Sequence, residues 1–205
     1  ELARYPEVAT VLHLSGSVAL SPCPDWKVQV STVEDAIELG CDAVSVHVNL
    51  GNEHAAHMLR DLGQVGSQAN RWGMPLIAMM YLRGDEAQEA SAQSIATLFR
   101  VAVELGADIV KVDYPGDPEI FSRAMEAVQV PVLVAGGAFS GDVRTILGNV
   151  SDAVGAGAMG VAIGRNIFQR LGCDGFINAL DQIMNHQISV EDACKVLEEA
   201  GGADG

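Results

Sequence analysis

The clearest pattern along the chain is a phrase that occurs three times. It consists of the apolar end of a helix, a glycine, and then a run of mostly apolar residues. The copies are Ala36–Val46, Ala102–Val112 and Ala153–Ile163. A glycine at this place is typical of a helix that ends in the left-handed conformation, and the run after it is typical of a strand. The phrase therefore predicts helix-to-strand connections repeated along the chain.

The same signals predict an alternation of strands and helices over the whole sequence. The predicted strands are Val8–Leu14, Ala43–Val48, Leu76–Tyr81, Asp108–Asp113, Val132–Ala135 and Gly160–Ile163. The predicted helices are Thr32–Leu39, Ala55–Trp72, Ala87–Leu105, Pro118–Ala127, Asp142–Val154, Gly175–Asn185 and Ser189–Ala200. Such alternation predicts a parallel α/β sheet, either a closed barrel or an open, doubly wound sheet. No linker divides the chain, so residues 1–205 are expected to form a single domain.

Polar residues at every second strand position distinguish these two architectures. Ser45, His47 and Asn49 alternate with valines, and His13 and Lys111 stand between apolar neighbours in their own strands. Because strand side chains point alternately to opposite faces, each strand has one polar and one apolar face. A doubly wound sheet is covered on both faces and prefers strands that are apolar throughout. A barrel tolerates inward polar residues near its active-site mouth, so the alternation favours a barrel.

Composition and charge narrow the class of protein. The chain has 205 residues, 49% of them hydrophobic, and a net charge of −15. Such an acidic chain is a poor candidate for binding nucleic acid or an anionic membrane. No apolar run reaches the ~18 residues of a membrane span, and no leader sequence is apparent, so a cytoplasmic location is expected. The cysteines stand far apart, and His54 and His57 are more typical of a solvated helix face, so no metal site is predicted.

Lys111 is the only one of three lysines that lies within a predicted strand. A strand covered by helices desolvates its side chains, and desolvation lowers the pKa of a lysine. A neutral amine can attack a carbonyl carbon and form an iminium ion. The alternative is a purely structural ion pair with a carboxylate, and position alone does not decide between the two.

Tyr81 ends the predicted strand Leu76–Tyr81, and Arg83 follows two residues later. A tyrosine at the carboxyl end of a barrel strand is placed to transfer a proton, although a packed aromatic ring is the simpler interpretation. Arg83 is either a phosphate ligand or an ordinary loop charge.

Two glycine-containing turns follow the last two predicted strands. The first contains Gly136 and Gly137, and the second contains Gly164 and Arg165 before a predicted helical turn at Ile167–Arg170. Loops in these places of a barrel often bind phosphate, through accessible backbone N–H groups and the donor fork of an arginine. The alternative is that both are simply tight strand-to-helix turns.

Taken together, these motifs resemble the archaeal-type class I aldolases, which form a Schiff base with their substrates. The resemblance runs in order along nearly the whole chain, through LHLSGS (Leu12–Ser17), DAVSVHVNLG (Asp42–Gly51), MPLIAMMYLRG (Met74–Gly84), ELGADIVKVDYPGD (Glu104–Asp117), PVLVAGG (Pro131–Gly137) and GVAIGRNIFQ (Gly160–Gln169). The family includes fructose-bisphosphate aldolases and 2-amino-3,7-dideoxy-D-threo-hept-6-ulosonate synthases. The phrases VSVHVN and AMMY are more similar to the second branch.

The resemblance implies a fold, a chemistry and a set of site residues. The fold is a TIM (β/α)₈ barrel whose strands three to eight match this sequence. The reaction is aldol or transaldol chemistry on a phosphorylated ketose, without metal or cofactor, in a homo-oligomer. The implied residues are Lys111 for the Schiff base, Tyr81 for proton transfer, Gly136, Gly137, Gly164 and Arg165 for phosphate, and His13, His47 and Asn49 for the pocket lining.

The sequence departs from the family pattern in three respects. The first two strands, with the Asp-His-Gly motif that supplies an acid/base aspartate, have no counterpart in the sequence. Leu82 stands where the family usually has proline. Asp113 lies on the same strand face as Lys111, where its charge is expected to raise the pKa of the lysine. The missing strands and Asp113 motivate one rival hypothesis, an inactive relative that serves as a binding or assembly subunit. A rival within the same class of enzyme is a fructose-bisphosphate aldolase.

Overall fold

The computed structural model describes residues 5, 7–84, 87, 90–170 and 172–200. Its strands are β1 (Val11–His13), β2 (Ser15–Gly16), β3 (Val28–Gln29), β4 (Ala43–Leu50), β5 (Leu76–Leu82), β6 (Ile109–Val112), β7 (Val132–Ala135) and β8 (Gly160–Ala162). Its helices are α1 (Val33–Glu38), α2 (Ala55–Trp72), α3 (Ala92–Glu104), α4 (Pro118–Met125), α5 (Val143–Gly155), α6 (Arg165–Phe168), α7 (Cys173–His186) and α8 (Val190–Glu199). All six predicted strands are present, and the predicted alternation with helices is confirmed.

The repeated phrase forms the same helix end in all three copies. In the first copy, Gly40 has a φ of 71° and the amide of Cys41 donates to the carbonyl of Ala36 at 2.9 Å. The second and third copies repeat this bond from Ala107 to Ala102 (3.0 Å) and from Ala158 to Ala153 (2.9 Å), with positive φ at Gly106 and Gly157. These bonds and φ values confirm the left-handed glycine ends inferred from the sequence. A glycine adopts this conformation readily, and the chain then turns directly into the next strand.

The described residues form two compact units. The first contains residues 1–110 and 127–130. Within it, β1 pairs with β4 and β4 with β5, both in parallel. Val44, Val46 and Val48 of β4 are buried on the face against which α2 packs. The apolar face that alternation predicted for this strand is therefore confirmed.

The second unit contains residues 111–126 and 131–205. Within it, β7 and β8 pair in parallel, with Leu133 opposite Gly160. Its apolar core is formed mainly by α5, α7 and α8, around the fully buried residues Leu147, Phe176 and Ala179. The helices predicted at Gly175–Asn185 and Ser189–Ala200 match α7 and α8 to within two residues, and Ser189 is the N-cap of α8.

Several predicted boundaries were wrong, among them the starts of β1, α3 and α6. β1 begins at Val11 and not at Val8, because the carboxylate of Asp42 accepts the amide of Thr10 at 2.6 Å just before the strand. α3 begins after a capping box at Ser91, and part of the range 87–105 predicted for it lies outside the described residues. The helical turn expected at Ile167–Arg170 begins two residues earlier, as α6.

The antiparallel pair β2–β3 was not predicted. It forms because the amide of Val30 donates to the carbonyl of Leu14 at 2.8 Å, at the point where β1 ends. A Cβ on Gly16 would lie 2.9 Å from the Val30 side chain, so a residue without a side chain is needed there. The pair closes the loop of residues 17–27, which carries Asp25 and Trp26.

Candidate active-site residues

The residues singled out from the sequence fall into two groups, one in each unit. The first unit contains His13, His47, Asn49, Tyr81 and Arg83. The second contains Lys111, Gly136, Gly137, Gly164 and Arg165.

In the first unit, a row of hydrogen bonds follows the polar face of β1 and β4. His13 Nδ1 and the Ser45 hydroxyl are 2.9 Å apart. His47 Nε2 and Asn49 Oδ1 are 3.0 Å apart, and Asn49 is fully buried. The alternation read from the sequence therefore places His13, Ser45, His47 and Asn49 on one face, as predicted.

The protonation of His47 follows from this network. Asn49 Nδ2 donates to the backbone carbonyl of Asp25 at 2.6 Å, which leaves Asn49 Oδ1 as the acceptor that faces His47. His47 Nε2 must therefore carry a proton. Burial lowers the pKa of His47 to about 4, with smaller contributions in the same direction from Lys27 and Arg83, while the hydrogen bond to Asn49 opposes the shift. His47 is thus a neutral imidazole at pH 7.

Tyr81 lies between two of the other predicted residues. Its ring centroid is 4.6 Å from that of His47, and the Arg83 guanidinium carbon is 5.2 Å above its face. Only 8% of Tyr81 is exposed. The structure brings Tyr81, His47 and Arg83 into contact, and the proton-transfer role of Tyr81 stays a prediction.

Arg83 is held by a residue that the sequence did not single out. Its Nε is 3.3 Å from an Asp25 carboxylate oxygen, and its Nη1 donates to the Leu82 carbonyl at 2.8 Å. A Cβ on Gly51, where φ is 89°, would collide with the Arg83 carbonyl oxygen, so the glycine allows the two turns to approach. No local signal identifies Asp25, because its partner lies 58 residues away.

In the second unit, Lys111 is half-buried on β6. Burial lowers the pKa of Lys111, and the nearby Asp113 carboxylate raises it by a smaller amount. The opposing effect expected of Asp113 is therefore present but is outweighed by desolvation. Within the described part of this unit, no carboxylate lies within ion-pair distance of the Lys111 amine, so the structural ion pair left open by the sequence is not formed there.

A cavity of about 270 Å³ lies beside the first glycine turn. Asp113, Tyr114, Gly136 and Gly137 line it. The Tyr114 hydroxyl is buried without a hydrogen-bond partner among the described residues, and burial raises its pKa, with Asp152 adding to the shift.

The two glycine turns are joined by Asn166, which directly follows Arg165 and to which the sequence assigned no role. Its Nδ2 donates to the carbonyls of Gly136 (2.6 Å) and Ala138 (2.8 Å), and its Oδ1 accepts the amide of Ser140 at 2.8 Å. Only 1% of Asn166 is exposed. A buried amide with three backbone partners fixes the shape of both turns, because each of these groups would otherwise be left unsatisfied.

The glycines and the arginine of these turns have different surroundings. Gly136 is required because a Cβ there would lie 2.6 Å from Ile163, and Gly137 has a φ of 64°. A Cβ on Gly164 would meet nothing within 4 Å. Arg165 is exposed and makes no ion pair with a described residue, so its guanidinium is accessible to an anion.

Of the two helix histidines, His57 is exposed as expected, whereas His54 is partly buried. Trp26 stacks on His54, with ring centroids 4.4 Å apart, and also contacts His57 at 5.5 Å. The expectation of a solvated helix face therefore holds for His57 and fails for His54, because Trp26 of the loop of residues 17–27 stacks on the His54 ring. Among the described residues, no group of three potential metal ligands occurs. Of the helices in the described ranges, none combines the length and apolar character that crossing a membrane demands.

Comparison with known families identifies the family of the chain. Residues 1–170 match the family described as DeoC/LacD family aldolase. The chain belongs to this aldolase family. The resemblance inferred from the motifs is confirmed.

Two of the similar proteins are synthases. The chain is 43% identical over 166 residues to 2-amino-4,5-dihydroxy-6-oxo-7-(phosphonooxy)heptanoate synthase of Streptomyces griseus, covering 80% of this chain and 61% of that protein. It is 42% identical over 159 residues to 2-amino-3,7-dideoxy-D-threo-hept-6-ulosonate synthase of Halobacterium salinarum, covering 78% of this chain and 60% of that protein. The chain thus spans about three fifths of the length of these two relatives.

A solved structure confirms the fold class. An archaeal fructose-1,6-bisphosphate aldolase, with its catalytic lysine bound covalently to the carbinolamine intermediate, matches with a TM-score of 0.80 and 31% identity, over 89% of this chain and 74% of that one. The α/β fold of the TIM-barrel type expected from the sequence is therefore confirmed. The identity of 43% to the first synthase and of 31% to this solved aldolase agrees with a closer resemblance of the chain to the synthase branch.

Proposed function

We propose that this protein is a class I aldolase or transaldolase that forms a Schiff base between Lys111 and the carbonyl of a ketose or related ketone. One observation carries the proposal: the Lys111 amine is half-buried, burial lowers its pKa, and no described carboxylate of its unit pairs with it. A lysine in this state supplies a neutral amine more readily than a surface lysine.

The proposed reaction proceeds through an iminium ion. Lys111 Nζ adds to the ketone carbon, the carbinolamine loses water, and the resulting iminium loses a proton from the neighbouring carbon to give an enamine. The enamine carbon then attacks an aldehyde, a carbon–carbon bond forms, and the aldehyde oxygen takes up a proton. Water finally releases the product and restores the lysine. The iminium itself accepts the electron pair, so the proposal needs no metal or cofactor.

The other predicted residues have supporting roles in the proposal. Tyr81 transfers protons to and from oxygen, and His13, His47 and Asn49 line the pocket. Gly136, Gly137, Gly164 and the exposed Arg165 hold a phosphate group of the ketone, supported by the turn geometry that Asn166 fixes. In the proposal, Arg83 binds an anionic group of the substrate.

The chemical names of the synthase relatives point to a substrate class. A 2-amino-4,5-dihydroxy-6-oxo-heptanoate has its ketone at C6, so an aldol reaction forms the bond between C4 and C5. The ketone half is then a three-carbon compound, phosphorylated in one relative, and the aldehyde half is 2-amino-4-oxobutanoate. We propose this four-carbon amino-acid aldehyde as the acceptor, on the basis of 43% and 42% identity to the two synthases.

A second candidate is cleavage of fructose 1,6-bisphosphate, favoured by the similarity to the archaeal aldolase structure. A cleavage assay with fructose 1,6-bisphosphate on purified full-length protein separates the two substrates. The third candidate, an inactive binding or assembly subunit, predicts no turnover of either compound.

The proposal also covers the location, the binding partners and the oligomeric state of the protein. A net charge of −15 supports a cytoplasmic protein that binds neither nucleic acid nor membrane. Exposed large apolar side chains, including Leu20, Trp72 and Phe168, support a homo-oligomer, because such side chains often lie in subunit interfaces.

Borohydride trapping tests the Schiff base. Full-length protein is incubated with dihydroxyacetone phosphate, reduced, digested and mapped by mass spectrometry. We expect one adduct, on Lys111, that is absent without the ketone and absent in Lys111→Met. Lys195 is an internal control, since its amine lies 2.7 Å from Asp192 and this ion pair raises its pKa. No adduct across a panel of ketose phosphates, from folded protein, would refute the proposal and favour the inactive subunit.

A further inference from the structure

We propose that Arg83 and Asp25 together bind the α-amino-carboxylate group of the aldehyde substrate, with Arg83 contacting its carboxylate and Asp25 its ammonium group. The inference rests on the proposed function, because it concerns the amino-acid end of the proposed acceptor. It gives the Arg83 guanidinium and the neighbouring Asp25 carboxylate one ligand group of opposite charge each.

Both side chains retain unused hydrogen-bonding capacity. A guanidinium has five N–H donors, and among the described residues Arg83 uses only Nε and Nη1. Asp25 engages one carboxylate oxygen, Oδ1, and within the described ranges no hydrogen bond to Oδ2 is formed. The Arg83 side chain is 30% exposed and that of Asp25 59%, so a ligand can reach both.

The surroundings hold the pair in place before a ligand arrives. The buried Asn49 amide donates to the Asp25 backbone carbonyl at 2.6 Å and anchors the loop that carries the aspartate. Arg83 lies against the Tyr81 ring at 5.2 Å and donates to the Leu82 carbonyl. The ion pair itself is partly exposed, and such pairs contribute little stability, so a ligand can exchange partners with it at low cost.

The charges fit a zwitterion better than they fit a phosphate. An arginine fork binds a carboxylate through two parallel hydrogen bonds. A phosphate dianion on Arg83 would be repelled by Asp25, 3.3 Å away, whereas an ammonium group attached to the carbon next to the carboxylate would be attracted. The negative partner therefore selects an amino acid over a second phosphate, which gives Arg83 a different role from the phosphate ligand considered from the sequence.

The size of the acceptor agrees with this placement. In 2-amino-4-oxobutanoate three carbon–carbon bonds of about 1.5 Å separate the aldehyde carbon from the carboxylate carbon, so the two lie about 4 Å apart when extended. Arg83 lies 5.2 Å above the ring of Tyr81. A carboxylate on Arg83 therefore leaves the aldehyde within a short distance of the tyrosine that is proposed to transfer the proton.

Binding of unreactive analogues is the first test. L-Homoserine has the four-carbon amino-acid skeleton with an alcohol in place of the aldehyde, and 4-hydroxybutanoate lacks the amino group. By calorimetry on full-length protein we expect L-homoserine to bind more tightly than 4-hydroxybutanoate. Asp25→Asn should weaken L-homoserine about 10- to 100-fold and leave 4-hydroxybutanoate within about 3-fold, as expected for loss of one charge-assisted hydrogen bond. Arg83→Gln should weaken both.

Kinetics provide the second test. With one ketone donor, Asp25→Asn should lower kcat/KM for 2-amino-4-oxobutanoate about 10- to 100-fold but leave 4-oxobutanoate nearly unchanged. Glu191→Gln, which breaks the exposed ion pair of Arg144 at 3.1 Å, is the matched control and should change neither. Near-ultraviolet circular dichroism verifies that each variant is folded.

The outcomes separate this inference from the proposed function. If L-homoserine does not bind to wild-type protein, or if Asp25→Asn weakens both analogues equally, the pair only anchors its loop and the inference is wrong. Trapping of dihydroxyacetone phosphate on Lys111 does not involve the aldehyde. A trapped ketone without homoserine binding would therefore overturn the inference alone, and homoserine binding without a trapped ketone would overturn only the aldolase reaction.

Discussion

The neutral state of His47 predicts a specific acid sensitivity of the folded protein. The pKa of His47 falls from its ordinary 6.5 to about 4 on folding, mainly because the side chain is buried. The unfolded chain therefore takes up this proton first as the pH decreases. The stability that the neutral imidazole provides is fully present above pH 6.5 and is lost as the pH falls towards 4.

The magnitude follows from the two pKa values. One pKa unit corresponds to 1.36 kcal/mol, so at pH 4.5 the wild-type protein should lose about 2.5 kcal/mol of its free energy of unfolding through His47 alone. His47→Gln keeps an N–H donor for Asn49 but has no titrating group, so it should lack this part of the pH dependence.

Urea unfolding of both proteins at pH 7 and pH 4.5 measures the effect. The difference between the two pH values should be larger for wild type than for His47→Gln by about 2.5 kcal/mol. His186→Gln, at a histidine whose side chain is 59% exposed, is the matched control and should behave as wild type. An equal pH dependence of wild type and His47→Gln would refute the assignment of a neutral, buried His47.

Further predictions concern the Schiff-base lysine, the packing of helices and the glycine turns. Asp113→Asn removes the charge that raises the pKa of Lys111, so the pH dependence of the borohydride trapping rate should shift to lower pH. A shift to higher pH would contradict this. Gly66→Ala places a methyl group against a backbone carbonyl oxygen and should lower the free energy of unfolding in urea by about 2 kcal/mol or more. Gly148→Ala is the matched control: its Cβ meets open space, so the free energy of unfolding should rise by about 1 kcal/mol. Asn166→Ala should lower the free energy of unfolding by about 3 kcal/mol, because three hydrogen bonds are lost. The same variant should raise KM for a phosphorylated ketone more than for its unphosphorylated analogue. Equal changes in both KM values would show that the turns bind no phosphate.

Local patterns were sufficient to predict most of the elements. The three glycine-ended helices were readable because a left-handed helix end needs a residue without a side chain within a few positions of the last turn. α1, α5 and α8 begin after Thr32, Asp142 and Ser189, whose side chains accept backbone amides of the first turn. Each of these signals acts over fewer than six residues, so the sequence displays them directly.

The polar strand positions were also predictable, because period-two alternation is a property of the strand itself. His13, His47 and Asn49 lie on one face as expected. Their hydrogen-bond partners were not predictable. The β2–β3 pair and its loop bring Asp25 to Asn49 and to Arg83, 24 and 58 residues away, through chain contacts that no short motif encodes.

The sequence by itself determined the α/β alternation, the identity of the one strand lysine and the resemblance to class I aldolases. Only the tertiary structure decided the electrostatic state of the residues. Burial lowers the pKa of Lys111 by more than Asp113 raises it, and burial keeps His47 neutral. The fold also brings Asn166 to the Gly136 carbonyl, so that one side chain connects the two turns. The reason is physical: periodicity and helix caps are local, whereas desolvation and partner distance depend on residues that folding brings from far along the chain.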